Sequence, residues 1–294
     1  MYKKGLKIIL LLTVILAAIT IIIRIISRPI SPDKNINSQT QNISPTKGSQ
    51  NLSTEADAPS QIVKFEDIGL ENFTCTGLTY DEKSDTFWIA DYGALSSNER
   101  TIPRIVQINK DMTSVISELS LNDILGGDIN LQGISYDKKD DSLWLATGDE
   151  IYNIEKDGTT KKNISLGRYS KYKSNGIAVD NDFIWVLCYS EFLLKMDREG
   201  NIIKKIKFNY QNQDHICLLD NGNLYATVGA DYDGENNFVF EINTQSGYNK
   251  CAYTVQKSFA IEGIIVIDDK MYILNDGKYH KAKMQDSYIA VYDL

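Results

Sequence analysis

The sequence predicts an all-β domain, a five-bladed β-propeller, over residues 61–294. Three observations favour this fold: a repeated four-strand pattern, an aromatic column in register, and two ends of the array that complete one another. Short alternating runs bounded by Asp, Gly and Lys are typical of antiparallel strands. Four strands that recur at intervals of 40 to 56 residues indicate propeller blades. A six-bladed ring, with an additional blade inside the long first copy, is the alternative.

Each copy opens with a short inner strand and continues with an aromatic second strand. The openings read TGLTYD, QGISYD, NGIAVD, HICLLD and EGIIVID, and they begin at Thr76, Gln132, Asn175, His215 and Glu262. The second strands carry one large ring each, in the column Trp88, Trp144, Trp185, Tyr225 and Tyr272. Because blades pack face to face around the ring, we predict that this column is buried between them.

The two ends of the array predict how the ring closes. The fifth copy contains three strands up to Leu294, and a spare strand, Gln61–Ile68, precedes the first copy. An unpaired edge strand is an aggregation hazard. We therefore expect residues 61–68 to pair with the last strand and to complete the fifth blade.

The N-terminal 60 residues predict a membrane anchor followed by a tether. Residues 1–30 contain an apolar run over residues 6–26, about the 20 residues that a transmembrane helix needs. Lysines before the run favour an N-terminus inside, with the propeller extracytoplasmic; a cleavable signal peptide is the alternative. Residues 31–60 are rich in Ser, Asn, Gln, Thr and Pro, and they predict a disordered linker.

The charge and the cysteines limit the possible partners. The net charge is −8, and because residues 1–60 carry +4, the predicted propeller carries −12. A nucleic acid is excluded as a partner, since binding it needs clustered Lys and Arg. The four cysteines, Cys75, Cys188, Cys217 and Cys251, show no CxxC or metal spacing. We expect buried free thiols, with disulfides in an oxidising compartment as the alternative.

Propeller topology places the candidate site at one mouth of the central channel. The residue before each opening glycine position lines this mouth, and the ends and following loops of the second strands surround it. The ligand-binding candidates are Asp91, Gln132, Asn175, His215, Glu262, Asn275 and His280. Glu262 and His215 are the catalytic candidates, because a histidine beside a carboxylate can act as a general base. Oxygen ligands from Asn175 and Glu262 suit a divalent cation such as Ca²⁺.

The blade motifs also resemble a known group of propellers. NGIAVD with IWVL, and EGIIVIDDKMYILNDG, are similar to blades of NHL-type, gluconolactonase-like and SdiA-regulated (phytase-esterase-like) propellers. In the gluconolactonase-like group, a Glu and an Asn before Gly bind a divalent metal at the channel mouth with the help of an Asp. The resemblance therefore implies metal ligation by Glu262 and Asn175. The aligned ring contains no Asp to complete the set.

Three functions fit these observations. The first is a membrane-tethered module that binds a small molecule, an envelope protein or a polysaccharide on its channel-mouth face. The second is a metal-dependent hydrolase of lactones or esters, and the third is a structural docking platform of the cell envelope. The sequence contains no GxSxG, HExxH, P-loop or dinucleotide motif. Binding is therefore preferred over catalysis.

Overall fold

The computed structural model describes residues 54–56, 58–127, 129–167, 172–189, 192–208, 210, 212–229, 236–279 and 286–294. The predicted anchor over residues 6–26 lies outside these ranges, and so does the candidate His280. Within them, no helix has the length and apolar character needed to span a bilayer.

The described chain is built almost wholly of short antiparallel strands. Two strands, β1 (Thr54–Glu55) and β2 (Gln61–Lys64), come first. Blade one contains β3 (Cys75–Asp81), β4 (Thr86–Asp91), β7 (Arg104–Asn109) and β8 (Val115–Ser120), and a hairpin of β5 (Ala94–Ser96) and β6 (Glu99–Arg100) follows its second strand. Blade two contains β9 (Gly133–Asp137), β10 (Ser142–Ala146), β11 (Glu150–Glu155) and β12 (Thr160–Ser165). One short helix, α1 (Leu121–Leu125), joins these two blades.

The remaining blades repeat the same order. Blade three contains β13 (Ser174–Val179), β14 (Phe183–Cys188), β15 (Phe192–Asp197) and β16 (Ile202–Lys207). Blade four contains β17 (Gln213–Leu218), β18 (Leu224–Val228), β19 (Asn237–Ile242) and β20 (Asn249–Val255), and blade five contains β21 (Ala260–Ile267), β22 (Lys270–Asp276) and β23 (Ser287–Asp293). The five-bladed all-β prediction is confirmed, and the six-bladed alternative is wrong.

The N-terminal strand closes the ring, as predicted, but over fewer residues. Strand β2 pairs antiparallel with β23, with Val63 opposite Ile289. The predicted strand extended to Ile68, whereas the chain leaves the sheet after Lys64 and forms a 3₁₀ turn over Glu66–Ile68. Strand β1 adds a short parallel pairing to β20, on the outer edge of blade four, which the sequence did not predict.

The aromatic column packs between blades, as expected. Four of its members are buried (Trp88, Trp144, Trp185 and Tyr272), and Tyr225 is half-buried beside Tyr253. Each of the five rings belongs to a different hydrophobic cluster, and each cluster joins residues of two neighbouring blades. The repeated aromatic position therefore supplies one packing element for every blade interface.

Charged clamps on the opposite side of the ring reinforce these interfaces. Asp81, at the end of the first inner strand, accepts hydrogen bonds from turn N–H groups and lies 3.0 Å from Lys156 Nζ of blade two. Asp137, its counterpart in blade two, forms an ion pair with Arg198 of blade three. The repeated aspartate thus ends one strand and holds the next blade.

All four cysteines are free, as the sequence spacing led us to expect. Cys75, Cys188 and Cys217 are buried, and Cys251 is half-buried. Burial raises the pKa of the Cys188 and Cys217 thiols to about 12, so they are un-ionised packing groups at neutral pH.

Removing the closing strand is expected to cause aggregation. Deletion of residues 61–68 takes away the partner of β23 and exposes a paired edge. A deletion of equal length in the linker, residues 31–38, is the control. We expect high-molecular-weight species in light scattering after the first deletion only. Equal behaviour of the two chains would contradict closure by β2.

Candidate functional site

The candidate site is built on a distortion that recurs at one end of the inner strands. The five inner strands contact one another in cyclic order around the channel. Four of them, β3, β13, β17 and β21, shift register against their second strands at this end. A bulge leaves an additional residue unpaired and redirects its side chain. The bulged residues, together with the matching residue of blade two, form a ring around the mouth.

In blade four, the structure places Asp214 in this ring and moves His215 out of it. The aromatic column fixes the register, because Trp185 pairs with Ala178, two residues after Gly176, and Tyr225 pairs with Cys217, two residues after His215. His215 therefore occupies the glycine column. The mouth ring reads Thr76, Gln132, Asn175, Asp214 and Glu262.

This correction has a simple physical cause in a turn far from the mouth. Blade three has four residues between the paired Val179 and Ile184, whereas blade four has five between Leu218 and Leu224. Counting back from the aspartate after the inner strand therefore misplaced the ring position by one. Asp214 is the functional candidate that this alignment missed.

His215 extends across the channel instead of lining its mouth. The glycine column brings neighbouring inner strands very close, since a Cβ at Gly176 would lie 2.8 Å from the Cα of His215. The imidazole is buried, and its Nε2 lies 3.3 Å from the carbonyl oxygen of Ile134 in blade two. Burial lowers the His215 pKa to about 4. The ring is therefore neutral at neutral pH, and Nε2–H donates to Ile134, which leaves Nδ1 as an acceptor.

Asp214 and Glu262 form an interacting acid pair. Burial raises the pKa of Asp214 to about 7, although Asn175 Nδ2 donates to its Oδ1 at 3.0 Å. Burial also raises the pKa of Glu262 well above its ordinary value, and the negative charges of Asp214 and Asp276 raise it further. Two close carboxyl groups in a desolvated place do not both ionise readily. The pair therefore retains a proton near neutral pH.

Several buried acceptor atoms in this region have no hydrogen-bond partner among the described residues. They are Gln213 Oε1, Asp214 Oδ2, His215 Nδ1 and Asn275 Oδ1. Three of them belong to consecutive residues of β17, and Asn275 pairs in register with Ile261, the neighbour of Glu262. An unpaired buried polar atom costs free energy, and such groups call for an explanation. Here the shared need is for a hydrogen-bond donor.

The other two acidic side chains near the mouth have protein partners. Asp91 accepts hydrogen bonds from the N–H groups of Thr74 and Gly93, and its Oδ2 lies 2.9 Å from Arg104 Nε. Burial raises the pKa of Asp91 to about 6 against these bonds, so it is ionised at neutral pH. Asp276 accepts from Ser287 and from the N–H of Lys278. Both side chains hold the loops that surround the mouth.

Three tyrosines follow the ends of second strands on the same side. Tyr92 and Tyr279 meet edge to face, with ring centroids 5.7 Å apart. Tyr189 exposes 54 % of its surface, and its hydroxyl donates to Oε1 of the ring residue Gln132 at 3.1 Å. Burial of that hydroxyl raises the Tyr189 pKa, and the negative charges of Asp214 and Glu262 raise it further. The tyrosine rings therefore lie beside the acid pair.

The structure brings several predicted site residues together. Gln132, Asn175 and Glu262 are linked through Tyr189 and Asp214, so they share one mouth. Among the residues that the structure describes, no group of three or more His, Cys, Asp or Glu side chains is placed to hold a metal ion. Asn175 directs its Nδ2 to Asp214 and to the carbonyl oxygen of Gln213.

Comparison with known proteins supports the fold alone. No protein-family model matches the chain, and no curated protein does either. Among solved structures, the glutaminyl cyclase of Myxococcus xanthus superposes with a TM-score of 0.56 at 10% identity, over 80% of this chain and 96% of that one. The virginiamycin B lyase of Staphylococcus aureus gives a TM-score of 0.42 at 17% identity, over 80% and 73% of the two chains. The chain is therefore similar to β-propellers.

Proposed function

We propose that the channel mouth binds a small organic cation that carries hydrogen-bond donors, such as an alkylammonium ion. The observation that carries this proposal is the acid pair Asp214 and Glu262, surrounded by buried acceptors that have no donor. Within the described ranges, neither carboxyl group forms a salt bridge with Lys or Arg. An ammonium ion would supply both the missing charge and the missing N–H groups.

The energetics favour a ligand of this kind over a neutral one. Burying a carboxylate without a counter-charge is costly. A bound cation removes that cost, and it lowers the pKa of the acids, so that the proton shared by the pair is released. Binding is therefore expected to strengthen as the pH rises through about 7, where Asp214 loses its proton.

Calorimetric titration of the full chain in detergent micelles tests this proposal. The probes are n-butylammonium, 1-butanol and butyrate, which share the apolar part and differ in charge. We expect heat of binding from the ammonium ion only, and an affinity at least tenfold lower in Asp214→Asn, because truncating one partner of a buried charge pair is expensive. Asp182→Asn, an exposed aspartate on another turn, is the matched control. Equal binding of 1-butanol, or an unchanged affinity in Asp214→Asn, would contradict a cation site.

A metal-dependent hydrolase is the second candidate function. The corrected ring now holds Asn, Asp and Glu at Asn175, Asp214 and Glu262, which is the set that the gluconolactonase-like resemblance implied. A divalent cation there would polarise a lactone or ester carbonyl, and the acid pair would transfer the proton. Titration with Ca²⁺, followed by assays on lactones and esters, separates this function from binding alone. A peptide with N-terminal glutamine extends the assay, because an acid pair would also serve attack of its amine on the side-chain amide.

The proposed location follows from the N-terminal segment. The apolar residues 6–26 would hold the chain in a membrane with the propeller outside the cytoplasm. The mouth would then sample small molecules, envelope proteins or polysaccharides on that side. Protease accessibility of the propeller in intact cells checks this orientation.

A further inference from the structure

The three tyrosines occupy equivalent places in alternate blades. Tyr92 follows β4 in blade one, Tyr189 follows β14 in blade three, and Tyr279 follows β22 in blade five. All three therefore leave their sheets at the mouth. Tyr92 and Tyr279 contact each other, and Tyr189 is bonded to the ring residue Gln132. Together these tyrosines form what we call the aromatic rim.

We propose that the aromatic rim selects an N-methylated ammonium group over a primary one. This inference rests on the proposed cation site and names the class of cation that it takes. The acid pair lies below the rim, so a ligand that reaches the carboxylates passes the ring faces. His215, buried in the channel with an unpaired Nδ1, adds a polar group that is independent of the acids.

The physical reason is the preference of aromatic faces for poorly hydrated cations. A methylated ammonium has a spread positive charge and apolar methyl groups, so it gains from ring faces and loses little hydration. A primary ammonium is strongly hydrated and depends on direct hydrogen bonds to carboxylates. The rim already attracts a cation within the protein, since the guanidinium carbon of Arg100 lies 5.5 Å from the centroid of Tyr92. The rim therefore has the electrostatic character that this selection requires.

Titration of the full chain in detergent with three probes tests the selection. Choline carries the quaternary group, ethanolamine is its primary counterpart, and 3,3-dimethyl-1-butanol is its neutral isostere. We expect choline to bind about fivefold or more tightly than ethanolamine, and the neutral isostere to bind at least tenfold more weakly than choline. Tyr189→Leu should reduce choline affinity about fivefold and change ethanolamine affinity less than twofold. Tyr189→Phe, which keeps the ring, should retain choline binding.

The controls separate failure of the rim from failure of the cation site. Tyr248→Leu alters an exposed tyrosine with 65% accessible surface away from the mouth, and it should leave all affinities unchanged. If ethanolamine binds as tightly as choline and Asp214→Asn abolishes both, the cation site stands and the selection by the rim is wrong. Equal loss of both probes in Tyr189→Leu also overturns the selection. If no cation binds, both proposals are wrong.

Discussion

Replacing Trp144 by Ala is expected to lower the free energy of unfolding by about 3–5 kcal/mol. The indole is buried between blades two and three, in the cluster that also contains Ile177 and Val186. Its Nε1 donates to Asp137 Oδ2 at 3.0 Å, and Asp137 forms the ion pair with Arg198 of blade three. The substitution therefore opens a cavity and weakens a clamp at one interface. Urea unfolding followed by circular dichroism measures the loss.

A matched pair of substitutions isolates the hydrogen bond from the packing. Trp185 holds the equivalent place between blades three and four, but its Nε1 has no partner among the described residues. Trp144→Phe loses a bond to a charged acceptor, whereas Trp185→Phe removes an unpaired donor. We expect Trp144→Phe to be the more destabilising by about 1–3 kcal/mol. Equal costs at the two positions would contradict a contribution from the bond to Asp137.

The free energy of unfolding is expected to fall as the pH rises from 6.5 to 8. The pKa of Asp214 is about 7 in the folded protein and has a model value of 3.8. Between these values the folded state binds more protons than the unfolded state, so stability is fully present below the lower value and is lost as the pH rises through the upper one. The loss is on the order of a few kcal/mol at most. Glu262, whose pKa is also raised, acts in the same direction.

The pH window is chosen so that other buried groups contribute little. His215 has a pKa lowered to about 4 from 6.5, so its effect has the opposite sign and ends near pH 6.5. The pKa values of Asp91 and Asp276 are raised to about 6, below most of the window. Above pH 6.5 the acid pair therefore dominates.

Asp214→Asn is expected to flatten this pH dependence and to make the protein more stable than wild type at pH 8. The amide keeps an oxygen for Asn175 and removes the charge that burial opposes. Thermal melts at pH 6.5, 7.2 and 8 provide the measurement, and Asp182→Asn should retain the wild-type slope. A variant that is less stable at every pH would mean that Asp214 is a purely structural residue. A gain in stability together with lost cation binding would identify it as a functional one.

The repeated local patterns of the sequence determined the architecture. Strand alternation and turn residues act between near neighbours, and one aromatic ring per second strand is enough to assign the five blade interfaces. The spare strand and the incomplete last copy determined closure, because a sheet edge needs a partner. The sequence also placed Gln132, Asn175 and Glu262 at the mouth, since each precedes the glycine of an aligned inner strand.

Only the tertiary structure decided which atoms face one another at that mouth. One additional residue in the turn after β17 moved Asp214 into the ring and His215 into the channel, and a strand pattern with a period of two cannot reveal such an insertion. Tyr189 carries no motif, and its meaning comes from its bond to Gln132, 57 positions away. The raised pKa values of Asp214 and Glu262 likewise depend on burial and proximity across blades. These properties arise from closing the ring, because closure brings residues distant in sequence to one channel.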